Sequence, residues 1–130
     1  MAQTIHCISL VVRDYDEAID FYIRRLGFQL VEDTPVGDFK RWVVIKPPGP
    51  QGPGILLARA SSEEQHRRVG NQTGGKVLLV VHTDDLDADV DRLRNNGVSI
   101  VRGPVKEAWG KVVVFADLYG NLWDLVQPDR

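Results

Sequence analysis

Cysteine is almost missing from this chain of 130 residues: Cys7 stands alone, so no intrachain disulfide can form. Long apolar runs are missing too. No stretch approaches the ~18 apolar residues that span a bilayer. The first residues, Met-Ala-Gln-Thr-Ile-His-Cys, lack the basic region and apolar stretch of a secretory signal. The expectation is a soluble, cytoplasmic protein with no membrane partner. Charge of one sign is scarce as well: 16 Lys and Arg face 18 Asp and Glu, for a net charge of −2. No basic block provides the footprint that a nucleic-acid partner needs.

What is present suits one globular domain. The chain is 43% hydrophobic and 26% charged, enough to build a core and a solvated surface. Residues 4–12 read as a buried strand. Asp14 follows as a helix N-cap, with Glu17 three positions on. Tyr15, Ala18, Ile19, Tyr22 and Leu26 recur at helical spacing, and Gly27 is placed to stop that helix. Residues 28–32, 41–46 and 55–59 read as strands, with a Pro/Gly-rich loop at 47–54. Ser62 can cap a short exposed helix within 61–69.

The pattern then starts again. Residues 77–81 read as a strand, Asp84 as a cap, and Leu86, Val90 and Leu93 as one helix face stopped by Gly97. Strands follow at 98–101, 111–116 and 122–127. Asp14 and Asp84 are 70 positions apart, and so are Gly27 and Gly97. Such spacing suggests a duplicated half-domain. The expected fold is α+β, a single domain over 1–130 with two βαβββ modules, 4–59 and 76–127, joined by a linker at 60–75.

Two segments resemble a known family. One is Leu10-Val11-Val12-Arg13-Asp14 leading into Phe21-Tyr22 and Leu26-Gly27-Phe28. The other is Phe115-Ala116-Asp117-Leu118-Tyr119-Gly120-Asn121 before a final strand. Both resemble segments of the vicinal oxygen chelate superfamily, which includes glyoxalases, bleomycin resistance proteins and dioxygenases. Leu118 replaces that family's usual proline. The resemblance implies curved mixed sheets around a cleft that binds a small molecule and often a divalent metal.

Carried over by the resemblance, the metal-ligand positions fall on Cys7, Leu57, Leu78 and Asp124. Leucine cannot ligate a metal, and neither can the neighbours Leu56, Ala58, Val77 and Leu79. The expectation is therefore no metal, no cofactor and no lactoylglutathione lyase activity. Asp124 is the candidate catalytic residue, or else a strand aspartate paired with Arg41 or Arg59. The expected ligand-contacting set is Cys7, Ser9, Leu57, Leu78, Trp109 and Asp124. Cys7 reads more simply as a small core residue, and Trp42, Trp109 and Trp123 as core or as stacking surfaces.

Two other patterns lead nowhere. Gly70 to Lys76 has phosphate-loop spacing, but Val77 follows it and it precedes a strand instead of opening a helix. His66 and His82 have no partners at metal or triad spacing. Two functions remain. One is a metal-independent binder of a small hydrophobic or aromatic molecule. The other is a divergent lyase, isomerase or dioxygenase-like enzyme using Asp124. A dimeric barrel of ferredoxin-like halves with unrelated activity is a third possibility. Open sheet edges lead us to expect a homodimer.

Overall fold

The computed structural model describes residues 1–129; Arg130, the last residue of the expected domain, lies outside them. The chain divides into two compact units, Met1–Val69 and the remainder from Gly70. Each is built as βαβββ, giving the α+β class.

In the first unit β1 (Cys7–Val12) leads into α1 (Tyr15–Asp20), which continues as a π-helical turn (Phe21–Arg25). Strands β2 (Gln29–Pro35), β3 (Arg41–Lys46) and β4 (Gly54–Arg59) complete a four-stranded sheet in the order β1-β4-β3-β2. The β1–β4 pair is parallel and the other two pairs are antiparallel. A short α2 (Glu63–Arg68) follows, capped by Ser62.

The second unit repeats the order: β5 (Val77–His82), α3 (Leu86–Asn95), β6 (Ser99–Glu107), β7 (Gly110–Ala116) and β8 (Leu122–Pro128). Its sheet runs β5-β8-β7-β6, again with one parallel pair. Among the described residues no helix is long and apolar enough to cross a membrane.

Local chemistry explains the boundaries. Asp14 accepts the backbone N–H of Glu17 at 2.9 Å, the N-cap bond expected of it. Gly27 and Gly97 both take positive φ, +78° and +73°, where a side chain is disfavoured. The second cap differs from the expectation. Asp85, not Asp84, caps α3 through the Ala88 N–H at 3.2 Å. The next helical donor, Leu86 N–H, is satisfied by Gln127 Oε1 at 2.8 Å.

The repeat is therefore offset by one residue. Asp14 and Gly27 are 13 positions apart, whereas Asp85 and Gly97 are 12 apart. The π-turn absorbs the extra residue: Leu26 N–H donates to Phe21 O, five residues back. Its wider turn lets the adjacent Phe21 and Tyr22 both bury, although helical spacing selects only Tyr22.

The core of each unit lies between the helix and one face of the sheet. In the first it contains Leu10, Val12, Ala18, Tyr22, Val43, Ile45, Ile55 and Leu57, all at most 3% exposed. In the second, Leu86, Val90 and Leu93 join Val113, Phe115 and Trp123, whose last two rings stack at 6.0 Å. Strands β2 and β6 run longer than expected because edge strands need no burial; all seven residues of β2 are exposed. Residues Gly103 and Pro104 fall where the β6 register is interrupted, a position an edge strand tolerates.

The turn Asp117–Asn121 is a polar knot. The Asp117 carboxylate accepts the backbone N–H groups of Tyr119 and Asn121 and the Asn121 side-chain amide, each at 2.9 Å. Both residues are only 5% exposed, so these bonds offset the cost of burying them. This motif serves the fold, and no reaction is needed to explain it.

A candidate binding pocket in the first unit

Strand pairing sorts the residues of the first sheet by face. Leu57 is in register with Leu10 and with Val43, so all three project to the same, helix-covered side. Leu56 pairs with Ser9 and Val44, and Ala58 pairs with Val11; these project to the open side. Leu57 was expected to present its side chain to a ligand. It is 1% exposed in the core and also borders the cavity described next, while Leu56 takes the open-face position. The sequence could not separate them, because Ile55, Leu56, Leu57 and Ala58 are all apolar.

A cavity of about 520 Å³ opens in this unit. That size falls within the range of roughly 300–1,000 Å³ typical of small-molecule sites. Val11, Trp42, Leu56 and Ala58 give it an apolar wall, and Phe39 stands at its mouth, 80% exposed. Its polar edge is formed by Tyr15, Lys40, Arg41, Arg59, Ser61 and Gln65. Of the residues expected to contact a ligand, only Leu57 borders this cavity.

The Tyr15 ring anchors the polar edge. The guanidinium groups of Arg41 and Arg59 lie 5.2 and 5.7 Å from its centroid, within cation–π range. Arg41 is neutralised by acidic neighbours. It donates Nε and Nη2 to Asp33 at 3.1 and 2.8 Å, and Nη1 to Asp16 at 2.9 Å. The hydrogen bond that Arg41 donates to Asp33, then the one it donates to Asp16, holds the Arg41 pKa above its ordinary value. Conversely, the Arg41 hydrogen bond holds the Asp33 carboxyl below the usual carboxylate range. Among the described residues, Arg59 has a ring contact with Tyr15 and no ion pair.

The remaining expected site residues lie as follows. Cys7 is half-buried at the start of β1, and Ser9 is exposed on the open face. Leu78 is half-buried where the β5–β8 register shifts, outside the regular ladder. Trp109 sits in the β6–β7 turn, 52% exposed. Asp124 is half-buried on β8, in register with Val80 and Val114. Among the described residues its carboxylate has no ion-pair or hydrogen-bond partner.

The repeated βαβββ topology has counterparts among known proteins. The model of the glyoxalase/bleomycin resistance protein/dioxygenase superfamily matches residues 4–125. The chain belongs to this superfamily. A protein of Shewanella frigidimarina (strain NCIMB 400) is 55% identical over 98% of this chain and 95% of its own length. Among solved structures, UcmS2 is 30% identical, covers 97% of this chain and 98% of its own, and superposes with a TM-score of 0.84. TnmS3, an antibiotic binding protein from Streptomyces sp. CB03234, is 32% identical over 98% of both chains, with a TM-score of 0.79.

Superfamily membership raises the question of a metal, and the donor set does not fit one. Two of the four carried-over positions are Leu57 and Leu78. Replacing Leu57 by its open-face neighbour substitutes another leucine. Among the described residues, no three His, Cys, Asp or Glu side chains form a group able to hold an ion. Cys7 and Asp124 alone pair a soft donor with a hard one.

Proposed function

We propose that this chain is a binding protein for a small, flat, hydrophobic or aromatic molecule, held without a metal in the cavity of the first unit. One observation carries the reading: an apolar wall with Trp42 and Phe39 faces a short polar edge in a cavity of ligand size. A related protein that binds an antibiotic, TnmS3, supports it. Trp42 offers a stacking face and an intrinsic reporter. Titration with the neutral dye phenylnaphthylamine should give saturable one-to-one binding and quench tryptophan fluorescence. Trp42→Ala should weaken that binding about tenfold or more, given ~1.5 kcal/mol from aromatic packing. Unchanged affinity in this variant would count against the pocket.

Elemental analysis of protein purified without a His-tag tests the metal-independent part of the proposal. Metal well below one equivalent is expected. Near-equimolar metal that disappears in Asp124→Ala would revive the lyase or dioxygenase-like reading.

We further propose a cytoplasmic homodimer. The fully exposed β2 edge, with Leu30 and Val31 at 45% and 53% exposure, presents the unpaired strand and apolar side chains that a second copy could cover. Light scattering at micromolar concentration should return twice the monomer mass. A strict monomer there would remove this proposal.

A further inference from the structure

The polar edge of the first-unit cavity is built almost wholly from donors. Its lining holds three cationic side chains, Lys40, Arg41 and Arg59, and no aspartate or glutamate. Arg41 is neutralised by Asp33 and Asp16. Arg59 and Lys40 have no carboxylate partner among the described residues.

The neutral groups point the same way. The Tyr15 hydroxyl accepts the backbone N–H of Arg41 at 3.3 Å, which leaves its own proton to donate. Gln65 Oε1 accepts both the Ser61 backbone N–H at 2.7 Å and the Ser61 hydroxyl at 3.0 Å. A backbone N–H must meet an oxygen, so this contact fixes the orientation of the amide. The Gln65 NH₂ then remains as a donor without a partner among the described residues.

We infer that the pocket selects aromatic ligands carrying an anionic group, such as a carboxylate, sulfonate or ionised phenol. Arg59 and Lys40 supply the charge partners, and Tyr15 and Gln65 the neutral donors. The inference rests on the proposed reading of the cavity as a site for flat hydrophobic molecules and adds its charge preference. The physical reason is one of matching. An anion accepts from several donors at once, and hydrogen bonds to an ionised group are about twice as strong as neutral ones. A cationic ligand would meet two uncompensated positive charges and no acceptor carboxylate. Arg59 suits the anchoring role because its planar fork binds oxyanions in a bidentate manner.

Two dyes with one ring skeleton isolate the charge. Anilinonaphthalene sulfonate is phenylnaphthylamine with a sulfonate added, and both can be titrated into the full chain. The sulfonate should bind about tenfold tighter at low ionic strength. The ratio should shrink toward one near 1 M salt, where the screening length is about 3 Å. In the double variant Arg59→Gln, Lys40→Gln the ratio should fall to within about twofold, while Arg59→Lys should keep most of it. Both side chains are exposed, so circular dichroism should show an intact fold; the two single variants, each lowering the ratio by a smaller step, serve if the double variant is unstable. Equal affinities for the two dyes in the wild type would overturn the inference, as would a ratio that survives in the double variant. Failure of phenylnaphthylamine to bind would instead overturn the hydrophobic-site reading, and the charge preference with it.

Discussion

The two units share a topology and differ in what they place on the open face of the sheet. On the helix side they are alike: each buries aliphatic strand residues under one amphipathic helix closed by a glycine. On the open side the first unit gathers Trp42, Leu56, Ala58 and a donor-rich edge around a cavity. The second unit offers Val80, Val114 and Asp124 there. The two units are therefore alike in the half that packing constrains. They differ in the half that packing leaves free, where the first unit carries the donor-rich cavity edge. Both units bury aromatic residues in the core, Tyr22 in the first among them. The second unit buries Phe115 and Trp123, and the first also places Tyr15 where its hydroxyl and ring shape the cavity.

The sharpest break of this comparison uses adjacent residues on opposite faces. Trp123→Ala should lower the unfolding free energy by about 3–5 kcal/mol and Leu57→Ala by about 2–5 kcal/mol, since both are fully buried on helix-covered faces. Leu56→Ala should cost less stability and instead weaken phenylnaphthylamine binding. Urea unfolding read beside dye titration separates the two. If Leu57→Ala proved nearly silent in urea and damaging to binding, the assignment of faces in β4 would be inverted.

A smaller effect sharpens the electrostatic side of the comparison. The Asp33 carboxyl is held below its ordinary pKa by the Arg41 hydrogen bond. Its contribution to stability is therefore fully present above the unfolded-state value of about 3.9 and is lost as pH falls through the lower folded value. Asp33→Asn should destabilise by under about 1 kcal/mol at neutral pH, as partly exposed pairs do. The gap between variant and wild type should be flat above about pH 5 and close in strong acid. A gap that widened on acidification would show that the pair is not the source.

Much of the fold was legible in the sequence because its signals are local. Asp14 as a cap, Ser62 as a cap, the stops at Gly27 and Gly97 and the turn at Asp117–Asn121 each depend on residues within a few positions. The order of strands and helices follows from hydrophobic period, which a single segment carries by itself. Even the misplaced cap at Asp84 was wrong by one residue, because Thr83, Asp84 and Asp85 are all plausible caps and only the packing of Leu86 chooses among them.

The site was much less legible. Leu56 and Leu57 carry the same side chain, so no periodicity distinguishes the face that meets the helix from the face that meets solvent. Pairing with β1 and β3 makes that choice, through contacts dozens of residues away in the chain. Charge is similar. In the sequence Arg41 and Arg59 are equivalent cations, each flanking a strand. Only in three dimensions does Arg41 reach Asp33 and Asp16 while Arg59 keeps its charge beside Tyr15. The sequence by itself determined where the chain turns and which segments are amphipathic, since those properties follow from neighbouring residues. Tertiary structure decided which strand face is open and which cation remains uncompensated, because both depend on partners that the chain brings together only by folding.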